Sequence, residues 1–485
     1  MDGATPVAAS ELLSGYPDPL PVSATEVQQA REGRSTVLVV LDDDPTGTQS
    51  VAELPVLTRW EPDDLAWAMQ TGSPAVYVMT NSRSLSEEHA TARNVEVVRA
   101  AGEAADALGL TVDFVSRSDS TLRGHYPLEP QVLVRELADA GVVVDAVIIV
   151  PAFGDAGRIT VGSVHYAGSQ DEGYLPVGQT EFARDETFGY TASDLRDWVA
   201  EKTDGAVPAG DVAAITLDQV RAGADAVADR LAALSEAAPV VVDIVTEADL
   251  RVLALGILAA EARGSRFVHR VGPPFVRALV GQEAHDPLTA PDVDRIRSGG
   301  PAQDAAHGLV VVGSHVDLTT RQVGALRRRH ALAEVEIDVN EVLGEGREAH
   351  LAGVVQQVTG ALQTEHVVVQ TSRTLVSGDS GADSLDIARA VSAAVVQVVQ
   401  SVLETAPLRF VVAKGGITSS DVASHGLSIG RAMCRGPMLP GLVSLWEPVD
   451  GPAQGIPYLV FAGNVGDEDS LADVVDTLSE ADSAA

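Results

Sequence analysis

The sequence predicts an α/β fold of two domains, each a largely parallel β-sheet flanked by helices. Two observations support this prediction: short, uninterrupted runs rich in β-branched residues recur along the chain, and helical stretches separate several of them. Strands that are apolar on both faces are typical of buried parallel sheets, and their alternation with helices is typical of βαβ units. A stretch rich in glycine and proline divides the series into two domains.

The first 34 residues are polar and contain glycine, proline and serine, so we expect a flexible N-terminal arm with one helical turn near 25–31. Regular structure is predicted to begin at Ser35, and the first domain is expected to span 35–280. Its predicted strands, each a continuous apolar run, are 35–41, 75–79, 111–115, 142–150 and 240–245. Helices are predicted between some of these strands, at 86–108 and 127–140.

Residues 281–307 are rich in proline, glycine and charge and poor in large apolar side chains, which predicts a linker. The strand series then begins again, so the second domain is expected to span 308–485. Its predicted strands are 309–312, 367–370, 410–413 and 458–461. Helices are predicted at 384–403, where apolar residues keep helical spacing, and from Ser470 onward.

Charge and composition disfavour several classes of protein. The chain has 33 lysines and arginines against 69 acidic residues, a net charge of −36 that disfavours a nucleic-acid partner. The single cysteine, Cys434, is predicted to be buried in a helix and has no second cysteine with which to form a disulfide. We find no signal-peptide pattern at the N-terminus and no apolar run near 18 residues. We therefore expect a cytoplasmic protein without a membrane partner.

Polar clusters follow four predicted strands of the first domain, as DDDPTG, TNSRS, SRSDSTLRGHYPLE and PAFGDAGRIT. One such cluster alone is typical of a turn with helix caps. Because ligands bind at the carboxyl ends of strands in open α/β sheets, four clusters at one edge predict a binding site. Guanidinium groups bind carboxylates and aspartates bind hydroxyls, so the mixture suits a polyhydroxy carboxylate. The charged residues of these clusters are Asp42, Asp43, Asp44, Asp119, Arg83, Arg117, Arg123 and Arg158.

Glycine-rich turns follow three predicted strands of the second domain, in GSHVDLTTRQ, AKGGITSSDV and AGNVGD. Such turns expose backbone N–H groups and the positive end of a helix, which suits a phosphate, although one alone is usually an ordinary tight turn. The second contains Lys414, one of two lysines in the chain. The sequence has no Walker P-loop motif and no dinucleotide-binding G-x-G-x-x-G motif, and its 11 histidines form no zinc-binding pattern.

Taken in order, DDDPTG, NSRS, SDSTLRGH, PAFGDAGRIT, GSHVDLTTRQ, AKGGITSSDV and AGNVGD resemble the four-carbon acid sugar kinase family, from about Val37 to Val475. The resemblance implies an N-terminal sugar-acid-binding domain and a C-terminal nucleotide-binding domain. It implies that ATP and Mg²⁺ serve to phosphorylate a hydroxyl of threonate, erythronate or 3-oxo-tetronate. Two departures affect the acid site: Thr48-Gln49-Ser50 stands where the family has a further aspartate, and Arg117 replaces a lysine before DSTLRG.

The resemblance also implies two groups of site residues. The residues expected to bind the sugar acid are Asp43, Arg83, Asp119, Ser120, Thr121, Arg123 and Arg158. The residues expected to bind the nucleotide are Gly313, Ser314, Lys414, Gly415, Gly416, Thr418, Ser419, Gly463 and Asn464. No metal ligands are assigned.

Asp44 is our candidate for the general base, because Pro45 favours an extended conformation at the preceding residue and so fixes the direction of its side chain. Two other roles for Asp44 stay open, capping of the following turn and binding of Mg²⁺ through water, and Asp43 or Asp119 would be the next candidates for the base.

Two alternative functions also stay open: a non-catalytic sensor of acid sugar and nucleotide, and a sugar-acid dehydrogenase or epimerase. The expected partners are a small sugar acid and ATP. A homodimer stays open, since the sequence does not decide the oligomeric state.

Overall fold

The computed structural model describes residues 5–372 and 381–480. The chain forms two compact units, and both are discontinuous in sequence. The first unit combines Met1–Gly47 with Trp60–Ala284, and the second combines Thr48–Arg59 with His285–Ala485. A short piece of the N-terminal half thus belongs to the second unit, so no single cut of the chain separates the two.

The secondary structure alternates strands and helices along most of the chain. The strands are β1 Thr36–Asp42, β2 Leu54–Leu57, β3 Ala75–Met79, β4 Thr111–Arg117, β5 Ala146–Val150, β6 Arg158–Val161, β7 Val164–Ser169, β8 Gly173–Pro176, β9 Ala213–Ile215, β10 Ala238–Val242, β11 Phe267–Val271, β12 Leu309–Val312, β13 Leu332–Ile337, β14 His366–Thr371, β15 Val411–Lys414, β16 Arg431–Leu439, β17 Val443–Pro448 and β18 Tyr458–Phe461. The α-helices are α1 Ala9–Leu12, α2 Ala24–Arg31, α3 Pro62–Gln70, α4 Glu87–Leu108, α5 Leu128–Asp139, α6 Leu195–Lys202, α7 Leu217–Arg221, α8 Ala224–Ala232, α9 Glu247–Ala262, α10 Pro274–Val280, α11 Ala290–Arg297, α12 Asp317–Arg329, α13 Val339–Leu343, α14 Arg347–Ala361, α15 Gly381–Thr405, α16 Gly416–Asp421 and α17 Ser470–Ser479. The α/β fold class is confirmed.

The first unit contains a parallel sheet with the strand order β3-β1-β4-β11-β5-β10-β9. Strands β1, β3 and β4 lie where the sequence predicts them, because their side chains are apolar on both faces. The strand predicted at 142–150 is shorter and begins at Ala146, since Val143 is 74% exposed. Strand β11, between β4 and β5, was not predicted, because His269 and Arg270 interrupt its apolar run.

The N-terminal arm is more ordered than expected. Helix α2 has eight residues and begins with a capping box between Ser23 and Glu26. Its Ala24 and Val27 are buried, at positions i and i+3 of one face, and the helix packs against α9 and α10. The helix lies where the sequence predicted one helical turn, but it is longer and packed. The prediction of a flexible arm is therefore wrong for Ala24–Arg31.

The sheet of the second unit has a parallel and an antiparallel part. Strands β13-β14-β12-β15-β18 run parallel. Strand β17 pairs antiparallel with β18, β16 with β17, and β2 with β16. The hydroxyl of Thr48 lies 2.8 Å from that of Ser444 and accepts a hydrogen bond from the indole of Trp446 at 3.0 Å. These contacts explain why Thr48–Arg59 belongs to this unit.

The expected linker at 281–307 is mostly part of the second unit. It contains helix α11, which begins with a capping box between Thr289 and Asp292. Leu288, Val293 and Ile296 are buried in the hydrophobic core of that unit. The linker prediction is wrong over this helix, because a few well-spaced apolar residues suffice to bury one face of a short helix.

Helix α15 is the long helix predicted at 384–403. Over Ile387–Thr405 it is apolar and long enough to cross a membrane, judged by length and composition alone. The sequence analysis predicted no such segment, because charged residues interrupt this run. Core helices of water-soluble proteins have the same composition and are mostly buried, whereas 28% of the apolar window of this helix is buried. Ala394, Val398 and Val402 are buried, and the helix packs against α14.

Cys434 lies in strand β16 rather than in the predicted helix. It is buried, and its thiol contacts the carbonyl oxygens of Thr48 at 3.7 Å and Val51 at 3.4 Å. Burial raises the pKa of the Cys434 thiol to about 12. The thiol is therefore protonated and shielded at neutral pH.

We predict that Cys434 does not react with a thiol reagent such as 5,5′-dithiobis(2-nitrobenzoate) at pH 8 in the native protein, and reacts fully in concentrated urea. Absorbance of the released thiolate measures both reactions. Stoichiometric reaction of the native protein within minutes would contradict the burial of β16 against Thr48–Arg59.

Candidate functional site

The end of strand β1 holds a buried ion pair in the first unit. Asp42 lies opposite Arg117 in the register of β1 and β4, and their side chains, 0% and 3% exposed, form an ion pair. Arg117 Nη2 also donates to the carbonyl oxygen of Asp44 at 2.7 Å. A Cβ atom at Gly47 would overlap both side chains of the pair. Arg117, one of the two departures from the family pattern, thus holds the turn after β1 in place.

Asp43 forms a second, bidentate pair. Arg83, from the turn after β3, donates from Nη2 to Asp43 Oδ1 at 2.6 Å and from Nε to Oδ2 at 3.1 Å. Burial raises the pKa of Asp43 to about 7, and the charge of Arg83 opposes this effect. The pair therefore links the turn after β1 to the turn after β3 at the carboxyl edge of the sheet.

Asp44 is the most exposed of the three adjacent aspartates, with 23% of its side chain accessible. Its Oδ1 accepts hydrogen bonds from the Thr46 N–H at 2.9 Å and the Thr46 hydroxyl at 2.5 Å. Its Oδ2 lies 3.5 Å from Arg83 Nη1. One oxygen thus caps the turn, as the alternative interpretation of Asp44 expected, and the other contacts a cation.

The DSTLRG turn after β4 is organised by Asp119. This carboxylate accepts hydrogen bonds from the Thr121 hydroxyl and, at 2.6 Å, from Arg123 Nε. Burial tends to raise the pKa of Asp119, but the charges of Arg83 and Arg123 and these hydrogen bonds hold it well below its usual range. An aspartate with such a pKa is a weak base, which disfavours Asp119 as the base.

Buried neighbours hold the backbone of the same turn. His165 Nε2 lies 2.8 Å from the carbonyl oxygen of Ser120, and the Tyr190 hydroxyl donates to that of Thr121 at 2.7 Å. Ser120 and Thr121 are themselves buried. Burial lowers the pKa of His165 to about 4, so its ring is neutral at pH 7. The turn is therefore fixed on both sides by groups that no sequence motif indicated.

Arg123 and Arg158 contact the same aromatic ring. Their Cζ atoms lie 5.6 and 5.4 Å from the centroid of Phe182. Arg123 is also 3.7 Å from Asp185 Oδ2, and Arg158 Nη1 donates to the carbonyl oxygen of Ala156. The four polar turns thus converge as the sequence predicts, with two arginines partly accessible at the edge of the group.

Arg270 at the end of β11 is a candidate site residue that sequence reasoning missed. Its Nη2 donates to the carbonyl oxygen of Arg123 at 3.2 Å. Its Nε and Nη1 are buried and have no hydrogen-bond partner among the residues that the structure describes. The available signal was an arginine inside the apolar run FVHRV. Gly124, at φ +112°, leaves room here, since its Cβ would lie 2.9 Å from Asp43 Oδ2 and 3.2 Å from Arg270 Nη2.

In the second unit, the three glycine-rich turns meet. A Cβ at Gly313 would overlap the Thr418 side chain, and a Cβ at Gly463 would lie 2.5 Å from the Ser314 hydroxyl. The Thr319 hydroxyl, in the first turn of α12, donates to Gly463 O at 2.9 Å. Gly415 adopts φ +129° and faces Ser314, and Gly416 begins α16. The close approach of these backbones requires glycine. The N–H groups of Gly313 and Gly415 themselves donate to Lys414 O at 3.1 Å and Phe461 O at 2.9 Å.

Two residues expected to bind the nucleotide point into the core. Lys414 is fully buried, its Nζ donates to Ala462 O at 2.7 Å, and it lies 3.7 Å from the Phe461 ring centroid. Burial lowers the pKa of Lys414 to about 7. The Ser419 hydroxyl donates to Ala413 O at 2.8 Å and to Gly415 O at 2.6 Å. Both side chains thus donate to backbone carbonyl oxygens of the turns from the buried side. Asn464, in contrast, is exposed. Their role in binding stays a prediction.

We predict that Arg117→Met lowers the free energy of unfolding by about 3–5 kcal/mol, because the buried Asp42 carboxylate loses its counter-ion. The matched control is Arg263→Met, whose pair with Asp229 is exposed, at 44% and 72%, and should cost less than about 1 kcal/mol. Urea unfolding followed by circular dichroism measures both. Equal effects of the two substitutions would contradict a special role for the Asp42–Arg117 pair.

Comparison with known proteins identifies two domain families along the chain. A family model described as a sugar-binding N-terminal domain matches residues 38–279, and one described as a nucleotide-binding C-terminal domain matches residues 309–471. No curated protein matches the chain. The expected small-molecule partners, a sugar and a nucleotide, fit these two domains.

Two solved structures share the fold at 17% sequence identity. One is a Salmonella typhimurium LT2 protein provisionally named a tRNA synthase, with a TM-score of 0.66 over 90% of this chain and 98% of that chain. The other is Haemophilus influenzae protein HI1011, of the domain family of unknown function DUF1537, with a TM-score of 0.60 over 91% of this chain and 100% of that chain. At this identity the similarity establishes the fold alone. With its two matching domains, the chain belongs to the four-carbon acid sugar kinase family.

Proposed function

We propose that the protein is an ATP-dependent kinase that phosphorylates a hydroxyl of a four-carbon sugar acid of the threonate, erythronate or 3-oxo-tetronate type. The observation that carries this proposal is the group of arginines and aspartates at the strand ends of the sugar-binding domain. Such a group suits a ligand with one carboxylate and several hydroxyls, since guanidinium groups bind the first and aspartates accept hydrogen bonds from the second.

The charges divide the acid site into a fixed part and an available part. Asp42, Asp43, Arg83 and Arg117 are occupied by one another in buried pairs. We propose that these pairs hold the turns in place, while the partly accessible Arg123 and Arg158 bind the substrate carboxylate. Asp119, which remains ionised, would then accept a hydrogen bond from a substrate hydroxyl.

In the proposed reaction, the oxygen of the substrate hydroxyl forms a bond to the γ-phosphorus of ATP, and the bond from that phosphorus to the β,γ-bridging oxygen breaks to release ADP. We propose that Asp44 accepts the hydroxyl proton, since its Oδ2 is not used in capping the turn. General-base assistance of this kind contributes about 10²- to 10⁴-fold to a rate.

We propose that the nucleotide phosphates bind at the joined glycine turns of the second unit. The N-terminus of α12, a helix of 13 residues, favours anionic groups there. ATP would bind as its Mg²⁺ complex, because Mg²⁺ usually keeps several waters and bridges phosphates. Within residues 5–372 and 381–480, no group of three or more His, Cys, Asp or Glu side chains could hold a metal ion.

The test is phosphoryl transfer by the purified full-length chain. We expect Mg·ATP and a panel of four-carbon sugar acids to give ADP and a phosphorylated acid, detected by a coupled assay and by ³¹P nuclear magnetic resonance. A parallel reaction with NAD⁺ in place of ATP tests the dehydrogenase alternative. Binding of acid and nucleotide without any transfer would favour the sensor alternative and contradict the kinase.

We predict that Asp44→Asn lowers kcat by roughly 10²- to 10⁴-fold and leaves the affinity for the sugar acid nearly unchanged, because it removes the base and keeps the shape. Steady-state kinetics measures the change, and the exposed Asp63→Asn in α3 is the control. A near-normal kcat across the pH range in a folded Asp44→Asn protein would exclude Asp44 as the base and favour Asp43.

A further prediction concerns the glycine turns. We expect Gly313→Ala to weaken ADP binding at least about 10-fold, because its Cβ would displace Thr418 from the turn that follows β15. Gly353→Ala, in α14, is the matched control, since a Cβ there meets nothing within 4 Å. Isothermal titration calorimetry with ADP measures both. Unchanged ADP affinity in Gly313→Ala would contradict the placement of the nucleotide.

A further inference from the structure

The segment 181–190 packs onto the DSTLRGH turn of the sugar-binding domain, although no sequence motif marked it. The Phe188 ring lies edge-on to His125, with centroids 5.1 Å apart and an interplanar angle of 87°. The Tyr190 hydroxyl donates to Thr121 O at 2.7 Å. Asp185 accepts hydrogen bonds from the N–H groups of Thr187 and Phe188, both at 2.9 Å, which folds the segment back on itself. Together these contacts hold the segment against the turn, and Phe182 lies at the start of the segment.

Phe182 lies within cation–π distance of two guanidinium groups. The Cζ atoms of Arg123 and Arg158 are 5.6 and 5.4 Å from its centroid, inside the usual limit of about 6 Å. Two cations this close repel each other, and the charge of Arg123 adds to burial in lowering the pKa of Arg158. The electron-rich ring and the nearby Asp119 offset the repulsion. An anion that bound both guanidinium groups would offset it further.

Each arginine is also restrained by a contact other than the ring. Arg123 is held by Asp119 within its own turn, and Arg158 donates to Ala156 O. Their remaining N–H groups can therefore bind a ligand with little loss of side-chain entropy, because the restraints already limit the rotamers. A planar carboxylate can accept hydrogen bonds from two guanidinium groups at once, so it matches such a pair.

We propose that Phe182 is a specificity-determining residue that holds Arg123 and Arg158 together as the receptor for the substrate carboxylate. The proposal rests on the proposed function and adds to it that recognition of the acid group depends on a ring outside the strand-end motifs. Phe182 acts through the two arginines and is a positioning residue. Its loss should therefore weaken binding of a sugar acid and leave binding of the uncharged amide of that acid nearly unchanged.

The test compares Phe182→Leu with Phe188→Leu in the full-length protein, since both remove a ring from the same segment. Isothermal titration calorimetry with threonate, erythronate and their amides gives the affinities, and steady-state kinetics gives KM for acid and for ATP. We expect Phe182→Leu to weaken acid binding about 10-fold or more, with the KM for ATP unchanged. Phe188→Leu should change acid binding less than about 3-fold, and Phe182→Tyr, which keeps the ring, should bind acid like the wild type.

The outcomes distinguish this proposal from the proposed function. If the wild-type chain binds none of the acids, the proposed function fails. If it binds them and Phe182→Leu binds acid and amide as the wild type does, the role of Phe182 is overturned. Equal loss in Phe182→Leu and Phe188→Leu, or equal loss for acid and amide, would show that the ring only stabilises the segment, which also overturns it. Should Phe182→Leu fail to fold, as judged by circular dichroism, Phe182→Tyr and Phe182→Met provide the same comparison.

Discussion

The burial of two consecutive aspartates, Asp42 and Asp43, at the end of β1 is the constraint on which the sugar-binding domain depends. In a chain with a net charge of −36, adjacent carboxylates at a strand end are stable only if cations reach them. Arg117 from β4 pairs with Asp42, and Arg83 from the turn after β3 pairs with Asp43. Each pair joins two neighbouring strands, so neutralising the aspartates also positions the turns that form the site.

This arrangement would allow so acidic a protein to provide the proposed site for an anion. Arg83 and Arg117 neutralise two carboxylates of the domain itself. Further arginines lie close to these pairs. Arg123 and Arg158 contact one aromatic ring. Arg270, which has buried donors, donates to the Arg123 carbonyl oxygen. We propose that these guanidinium groups attract the anion against the unfavourable overall field, because charges at short range in a partly buried site are little screened. The departure from the family pattern at Arg117 strengthens the framework, since a guanidinium can contact Asp42 and the Asp44 carbonyl together.

Much of the fold could be predicted, because strands such as Ala75–Met79 and Tyr458–Phe461 are apolar on both faces and end at glycine or polar residues. The convergence of the strand-end motifs followed from the same pattern. Strand β11 could not be predicted, since two buried polar residues, His269 and Arg270, interrupt its apolar pattern. The assignment of Thr48–Arg59 to the second unit could not be predicted either, because it depends on long-range pairing of β2 with β16. Phe182 was missed because it lies in a segment without a motif. Lys414 and Ser419 show a further limit: motif spacing locates a turn, but only packing decides which of its side chains face inward.

The central claim is that the carboxyl edge of the sugar-binding domain recognises an acid through Arg123 and Arg158. A crystal structure of the full chain with threonate or erythronate tests this most directly. We expect density for the acid at the turns after β1, β3, β4 and β5, with its carboxylate within hydrogen-bond distance of Arg123 and Arg158. Density for the acid at the glycine turns of the second unit, or with its carboxylate directed away from both arginines, would contradict it.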